Sequence, residues 1–298
     1  MGGSSNNSGG EGEKQVCLLY GSTGWIGGML KVMCEERGVK VVSGKSRLEN
    51  REGVKREVDE AEPSFVMCAA GVTGRPNVDW CESNKAETIR ANVVGALNLC
   101  DVCEEKGVHL TYFGTGCIYQ YDDDHPIGGK GFKEEDAPNF DGSFYSKTKA
   151  MVQEMMRNYT CLLLLRLRMP ISGDLHARSF ITKIIGYEKV INIPNSMTVL
   201  IDMLPLAMQL TQTRQKGVIN FTNPGVISHS EVLSMYKEIV DPSFTWQTFT
   251  IEEQDKILKA KRSNNYLDTT RLEQLCPAVV PIHDAVRAAM MAIAGQQQ

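Results

Sequence analysis

Tyr145-Ser146-Lys147-Thr148-Lys149 places a phenol and an ammonium four residues apart, which on a helix is one face. An unperturbed phenol titrates near about 10, and a cation beside it favours the phenolate. Such a pair can give and take a proton at neutral pH. A second cluster lies near the amino terminus. Gly21-Ser22-Thr23-Gly24-Trp25-Ile26-Gly27 follows the short apolar run Val16–Tyr20 and leads into helical spacing. Glycines at a strand–turn–helix junction permit a tight turn, close approach of backbone to a pyrophosphate, and close helix–strand packing. The helix amino terminus then faces the phosphates. Gly21, Thr23, Gly24, Trp25, Ile26 and Gly27 are therefore the expected dinucleotide contacts. The spacing is Gly-x-x-Gly-x-x-Gly rather than Gly-x-Gly-x-x-Gly, and a turn built for packing alone reads the same way.

The next strand, Val39–Ser43, should reveal which dinucleotide. A carboxylate at its end takes the ribose hydroxyls of NADH. Here Ser43 and Gly44 lead to Lys45-Ser46-Arg47, with no carboxylate until Glu49. Lys45, Ser46 and Arg47 suit a 2′-phosphate, so NADPH is the expected cofactor, with NADH use left open.

These groups need a frame, and the rest of the chain supplies one. Its 298 residues are 42% hydrophobic with a net charge of −4, which excludes a strongly basic nucleic-acid binder. Apolar runs such as Cys161–Leu165 are far too short for a bilayer, which takes about 20 residues. Nine cysteines, an odd number spread through apparent core segments, predict reduced thiols and a cytoplasmic setting. None forms the paired Cys-x-x-Cys of a zinc site, and no metal is expected. Met1–Lys14 is rich in Gly, Ser and Asn and is expected to be a disordered tail.

Beyond it, helices over 24–36, 51–61, about 84–105 and about 143–158 alternate with strands at 39–43, 64–70, 109–114 and 161–166. Continuous apolar strands between helices predict an α/β chain with a parallel sheet covered on both faces. Past Pro170 the pattern shortens. Residues 15–170, with a return segment at about 196–226, are the expected dinucleotide-binding domain. Residues 171–195 and 227–298 are the expected smaller substrate-binding part.

Three longer strings add a resemblance: AAGVTGRPNVDWCES at 69–83, GFKEEDAPNFDGSFYSKTKAMV at 131–152 and NFTNPGVISH at 220–229. From about Val16 onward the chain resembles the extended short-chain dehydrogenase/reductases, within them the dTDP-4-dehydrorhamnose reductases. More closely it resembles the bifunctional UDP-4-keto-6-deoxyglucose 3,5-epimerase/4-reductases of UDP-rhamnose synthesis. The resemblance implies a doubly wound Rossmann-type fold with a C-terminal substrate part. It implies that Thr115 joins Tyr145 and Lys149, hydrogen-bonding the ketone while Tyr145 protonates it and Lys149 contacts the nicotinamide ribose. Asn92 would support the site, and Ala69, Ala70 and Gly71 would approach the cofactor. Many relatives carry an Asn before Ala-Ala, where this chain has Cys68. Family precedent also suggests a homodimer.

A 4-keto sugar has acidic hydrogens at carbons 3 and 5, and inverting either needs a base on one face and an acid on the other; reduction alone needs neither. Cys117, two residues past Thr115, would face the same sugar, and Lys183 occupies the place where the relatives carry the partner acid. For substrate grip the candidates are Thr73, Gly74, Arg75, Asn77 and Trp80 in the loop after the third strand, Arg262 and Asn264 near the diphosphate, and Asn195 and Asn223. The resulting expectation is 3,5-epimerisation and NADPH-dependent 4-keto reduction of a UDP-4-keto-6-deoxy sugar. The rivals are a 4-keto reductase alone, a GDP-keto-sugar epimerase/reductase, and a non-catalytic NADP-binding regulatory subunit of methionine adenosyltransferase.

Overall fold

In a computed structural model of the chain, residues 15–74 and 77–296 are described; the expected tail at 1–14 and the candidate Arg75 lie outside them. Six parallel strands form one sheet: β1 (Val16–Tyr20), β2 (Lys40–Ser43), β3 (Phe65–Cys68), β4 (His109–Thr115), β5 (Leu162–Leu167) and β6 (Gly217–Asn220), in the order β6-β5-β4-β3-β1-β2. The chain leaves β1 toward one edge and returns to its other side as β3. The crevice between the carboxyl ends of β1 and β3 is thus the switch point where ligands of such sheets bind.

Both faces of the sheet are apolar because alternate side chains go to opposite sides. Cys17, Leu19, Met67, Leu163 and Leu165 pack beneath α1 (Trp25–Glu36) with Leu200, Met203 and Ala207 of a later helix. Leu18, Tyr20, Val66, Cys68, Tyr112 and Leu164 pack on the other side. There they meet α2 (Arg51–Ala61), which Asn50 caps by accepting from the Gly53 amide at 3.1 Å. Gly95–Lys106 and the Tyr145 helix complete that face.

The helix expected over about 84–105 is less regular than its periodicity implies. Trp80–Ser83 forms a separate turn, and Lys85–Ile89, Arg90–Val94 and Gly95–Lys106 run on as one helix, here α3, whose middle segment is a π-helical turn. Such bulges concentrate at functional sites, and this one carries Asn92. The third strand stops at Cys68 rather than 70, since Ala69 and Ala70 turn toward the crevice, although the Ala69 amide still donates to Tyr20 O at 3.0 Å.

The Tyr145 helix, α4 (Phe144–Met156), starts at Ser143, whose hydroxyl accepts from the Ser146 amide at 3.0 Å. After β5 come α5 (Phe180–Ile185), α6 (Leu200–Gln212), α7 (His229–Ile239) and α8 (Ile282–Gln296). A third core, including Ile181, Ile184, Val199, Ile227, Val232, Val286 and Met290, joins α5, α7 and α8 beside the sheet. Three two-stranded pairs edge this part, among them Pro194–Asn195 with Ile227–Ser228. Among the described residues no helix is long and apolar enough to cross a membrane.

Two buried histidines should make the fold acid-sensitive. Burial, then Arg214 and Lys216, lowers His109 to about 4, and burial, then Arg168, lowers His229 to about 4. Each binds its proton more readily when unfolded, so stability is full above the unfolded value near about 6.5 and is lost as pH falls toward about 4. Each contributes up to about 3 kcal/mol of that loss. The urea midpoint should drop clearly between pH values of about 7 and about 4.5; equal midpoints would contradict neutral burial of these rings.

Candidate active site

The glycine turn is built for close approach. Gly21 has φ +82°, where only glycine is unstrained, and a Cβ there would lie 2.7 Å from Ala70 N across the crevice. At Gly27 a Cβ would fall 2.0 Å from Gly21 O, so only glycine lets α1 start this close to the turn. Gly24 caps α1 without a side-chain hydrogen bond, leaving its first amides for an anion. This cradle fits a dinucleotide pyrophosphate. Thr23, exposed on the turn, and Trp25 and Ile26, half-buried in the first turn of α1, border it; Ala69 and Ala70 line its opposite wall, and Gly71 follows beside Asn92 and Lys149.

The loop after β2 is tied from below by a residue that sequence reading passed over. Glu57 of α2 accepts from the Lys45 amide at 3.0 Å, the Ser46 amide at 2.8 Å and the Tyr20 hydroxyl at 3.0 Å. Burial opposes ionisation, but donation from Lys45 and Ser46 prevails and holds the Glu57 carboxyl below its usual range. The Ser46 hydroxyl adds to this lowering, while the Lys45 and Arg47 side chains stay exposed.

At the end of β4 the structure gathers Thr115, Cys117 and Tyr145. The Thr115 hydroxyl accepts from the Cys117 amide at 3.1 Å, and Gln153 Nε2 donates to Thr115 O at 3.0 Å. Thr115 and Tyr145 are buried, whereas Cys117 is only partly covered. Burial, then the neighbouring Cys117, pushes the Tyr145 phenol above its ordinary range, and the Thr115 hydroxyl beside it pulls the other way. Burial thus favours the neutral phenol, a form that can give a proton.

Lys149 differs from the expectation. Its ammonium does not pair with Tyr145; it donates to the Tyr112 hydroxyl at 3.0 Å. Burial lowers it to about 8, against smaller opposing effects of Cys68 and Cys81. The phenolate that the Tyr-x-x-x-Lys spacing suggests is thus not the resting form, because desolvation outweighs a cation turned toward another phenol. Asn92, on the π turn, clamps the loop after β3: Oδ1 accepts from Val72 N at 2.8 Å and Nδ2 donates to Val72 O at 2.7 Å.

The other candidates divide. Gly74, with φ +71°, packs on Trp80, whose amide donates to Asn77 O; Asn77 Oδ1 accepts from Asp79 N at 2.9 Å. Arg262 pairs with Asp79 at 2.7 Å, joining the C-terminal segment to this loop, in which Thr73 is half-buried. Lys183 is exposed on α5, and among the described residues its ammonium has no hydrogen-bond or ion-pair partner. Desolvation, then Arg178, nonetheless lowers it.

For Asn195 and Asn223 the expected substrate contact gives way to structural roles. Both are fully buried with their amides spent inside the fold. Asn223 bonds Val199 N and Val280 O. Asn195 accepts from Arg168 and Asn265 N and donates to Asn264 Oδ1 at 2.9 Å, which places Asn264 in the same network.

That network centres on Arg168, a buried guanidinium that donates to Gly116 O at 3.2 Å and Ser263 Oγ at 2.8 Å and so fixes the Thr115–Cys117 turn. Sequence reading also missed Gln153, although its spacing of four from Lys149 and eight from Tyr145 puts it on the same helical face. Its Oε1 accepts from Arg166 Nε at 3.1 Å, anchoring Thr115 to a buried cation.

A dinucleotide crevice that opens onto a buried proton donor is what exchange between ketone and alcohol needs, and it places the protein among the nicotinamide-dependent enzymes. The chain belongs to the NAD dependent epimerase/dehydratase family, whose model matches residues 17–167. It is similar to a bifunctional dTDP-4-dehydrorhamnose 3,5-epimerase/dTDP-4-dehydrorhamnose reductase of Arabidopsis thaliana, 55% identical over 271 residues, or 90% of each chain.

It is also 54% identical over 271 residues to the Arabidopsis thaliana trifunctional UDP-glucose 4,6-dehydratase/UDP-4-keto-6-deoxy-D-glucose 3,5-epimerase/UDP-4-keto-L-rhamnose-reductase RHM1, matching 90% of this chain but only 40% of that protein. Among solved structures, the L780 UDP-rhamnose synthase from Acanthamoeba polyphaga mimivirus superposes with a TM-score of 0.91 at 39% identity. It covers 94% of this chain and all of that one.

Proposed function

We propose that this chain converts UDP-4-keto-6-deoxyglucose to UDP-L-rhamnose, inverting carbons 3 and 5 and then reducing carbon 4 with NADPH. When bound, the dihydronicotinamide supplies the hydride. Cys117 takes the proton next to the ketone, and Lys183 returns one from the opposite face. Thr115 orients the ketone oxygen by a hydrogen bond, and Tyr145 gives that oxygen its proton. Lys149 contacts the nicotinamide ribose while Asn92 fixes the adjoining loop through Val72, Arg262 leaves Asp79 to reach the diphosphate, and Thr73, Gly74, Asn77 and Trp80 border the sugar. The observation that carries this reading is the convergence of thiol, hydroxyl and phenol at the end of β4. Similarity to a protein whose name states both activities supports the two steps together. Incubation with UDP-4-keto-6-deoxyglucose and NADPH should yield UDP-L-rhamnose; recovery of an unepimerised 4-hydroxy sugar would leave reduction alone.

That reduction-only reading draws on one observation, the exposed Lys183, whose ammonium has no partner among the described residues. In the cofactor loop, the exposed Lys45 and Arg47 favour NADPH. Replacing both by alanine should cut the preference for NADPH over NADH, as a ratio of kcat/KM values, by at least about tenfold, since charge-assisted phosphate contacts are lost. An unchanged ratio would remove them from recognition.

A further inference from the structure

Tyr112 and Lys149 are both almost fully buried, and the only hydrogen bond of the Lys149 ammonium among the described residues goes to the Tyr112 oxygen, at 3.0 Å. The same nitrogen lies 5.2 Å from the centre of the Tyr112 ring. We propose that Tyr112 is a positioning residue of the reductase, its phenol oxygen accepting one proton of the Lys149 ammonium so that the charge and the two remaining donors stay directed at the cofactor crevice. The inference rests on reading Lys149 as the group that holds the nicotinamide end.

Among the described residues the ammonium makes no hydrogen bond to a carboxylate. Cys68 on β3 and Cys81 on the Trp80–Ser83 turn act on the ammonium directly, Tyr112 on β4 accepts from it, and Tyr145 on its own helix acts on Tyr112. All four are held neutral. Burial pushes Cys68 to about 11, raises Cys81, and keeps both phenols protonated. On the open side stands Gly71, where a Cβ would lie 3.9 Å from Lys149 Nζ and 3.6 Å from Asn92 Oδ1. Both are ordinary contact distances, so the ammonium lies directly beneath the exposed backbone of Gly71.

A buried cation without an anion depends on neutral acceptors to stay charged. Lys149 already lies near about 8 through burial. Losing a hydrogen bond to the charged form should lower it by roughly one further unit. Tyr112→Phe tests this conservatively, because the ring face that also attracts the cation remains.

The direct readout is titration of the Lys149 side chain by carbon NMR in lysine-labelled protein, assigned through Lys149→Arg. The expected result is a midpoint about one unit lower in Tyr112→Phe than in the wild type, with NADPH affinity, read by its fluorescence, several-fold weaker. In a Lys149→Met background Tyr112→Phe should weaken NADPH no further, the signature of two residues acting through one interaction.

An unchanged midpoint overturns the proposal. So does the absence, in the wild-type protein, of cross-relaxation between the Lys149 ε-methylene and the Tyr112 ring, a measurement that needs no variant to fold. If Lys149→Met itself leaves NADPH affinity intact, the reading of Lys149 fails instead, and the titration still reports separately on Tyr112.

Discussion

Tyr145→Phe should lower 4-keto reduction by about 10²- to 10⁴-fold, the usual contribution of a placed general acid. Hydride arriving at carbon 4 leaves charge on its oxygen, and the buried Tyr145 phenol is the acid proposed to neutralise it. Thr115 can donate a hydrogen bond to that oxygen, but an aliphatic hydroxyl does not give up its proton near neutral pH. The ring of Tyr145 is buried in its helix, so phenylalanine removes the hydroxyl with little repacking. Because the acid stays loaded through neutral pH, the alkaline limb of the profile should instead follow Lys149, with activity falling above about 8. NADPH consumption measured across pH checks both points. A phenylalanine variant reducing at the wild-type rate would contradict the assignment.

Cys117→Ala should have an equally large effect on a different step. Removal of the proposed base should slow proton exchange next to the ketone by about 10²- to 10⁴-fold. Reduction of a sugar already inverted at carbons 3 and 5 should persist, since Thr115, Tyr145 and Lys149 are intact. The substitution is mild for the fold because Cys117 is only partly buried and its backbone amide, not its thiol, makes the bond to Thr115. The two steps are measured separately by solvent-deuterium incorporation and by NADPH oxidation. Parallel loss of both would mark Cys117 as a packing residue; loss of neither would leave epimerisation without its base.

Much of the frame is legible in the order and spacing of the residues. Strands such as Leu162–Leu167 are apolar at every position but one because both faces of the sheet are covered, and helices such as Arg51–Ala61 show their buried stripe at Val54 and Val58. The glycine turn is legible because Gly21 and Gly27 meet backbone that leaves no room for a Cβ. What spacing hides depends on contacts distant in sequence. The π turn around Asn92 leaves the apolar spacing of α3 nearly intact, so periodicity does not register it. Tyr112 looks like an ordinary core tyrosine of β4 until α4 brings Lys149 onto it. Arg168 reads as a strand-end charge until residues 195, 196 and 263 close around it. Asn195 and Asn223, beside prolines, suggest exposed loops, yet their amides are buried ties, because a chain crossing between two cores must satisfy its backbone from within.

The most direct measurement is incubation of the protein with UDP-4-keto-6-deoxyglucose in deuterated water without NADPH, followed by NMR of the sugar. The account predicts deuterium at carbons 3 and 5 while the ketone persists, and its loss in Cys117→Ala. A sugar that keeps both hydrogens in the presence of a protein fully active as a reductase would contradict the proposal that one site performs both steps.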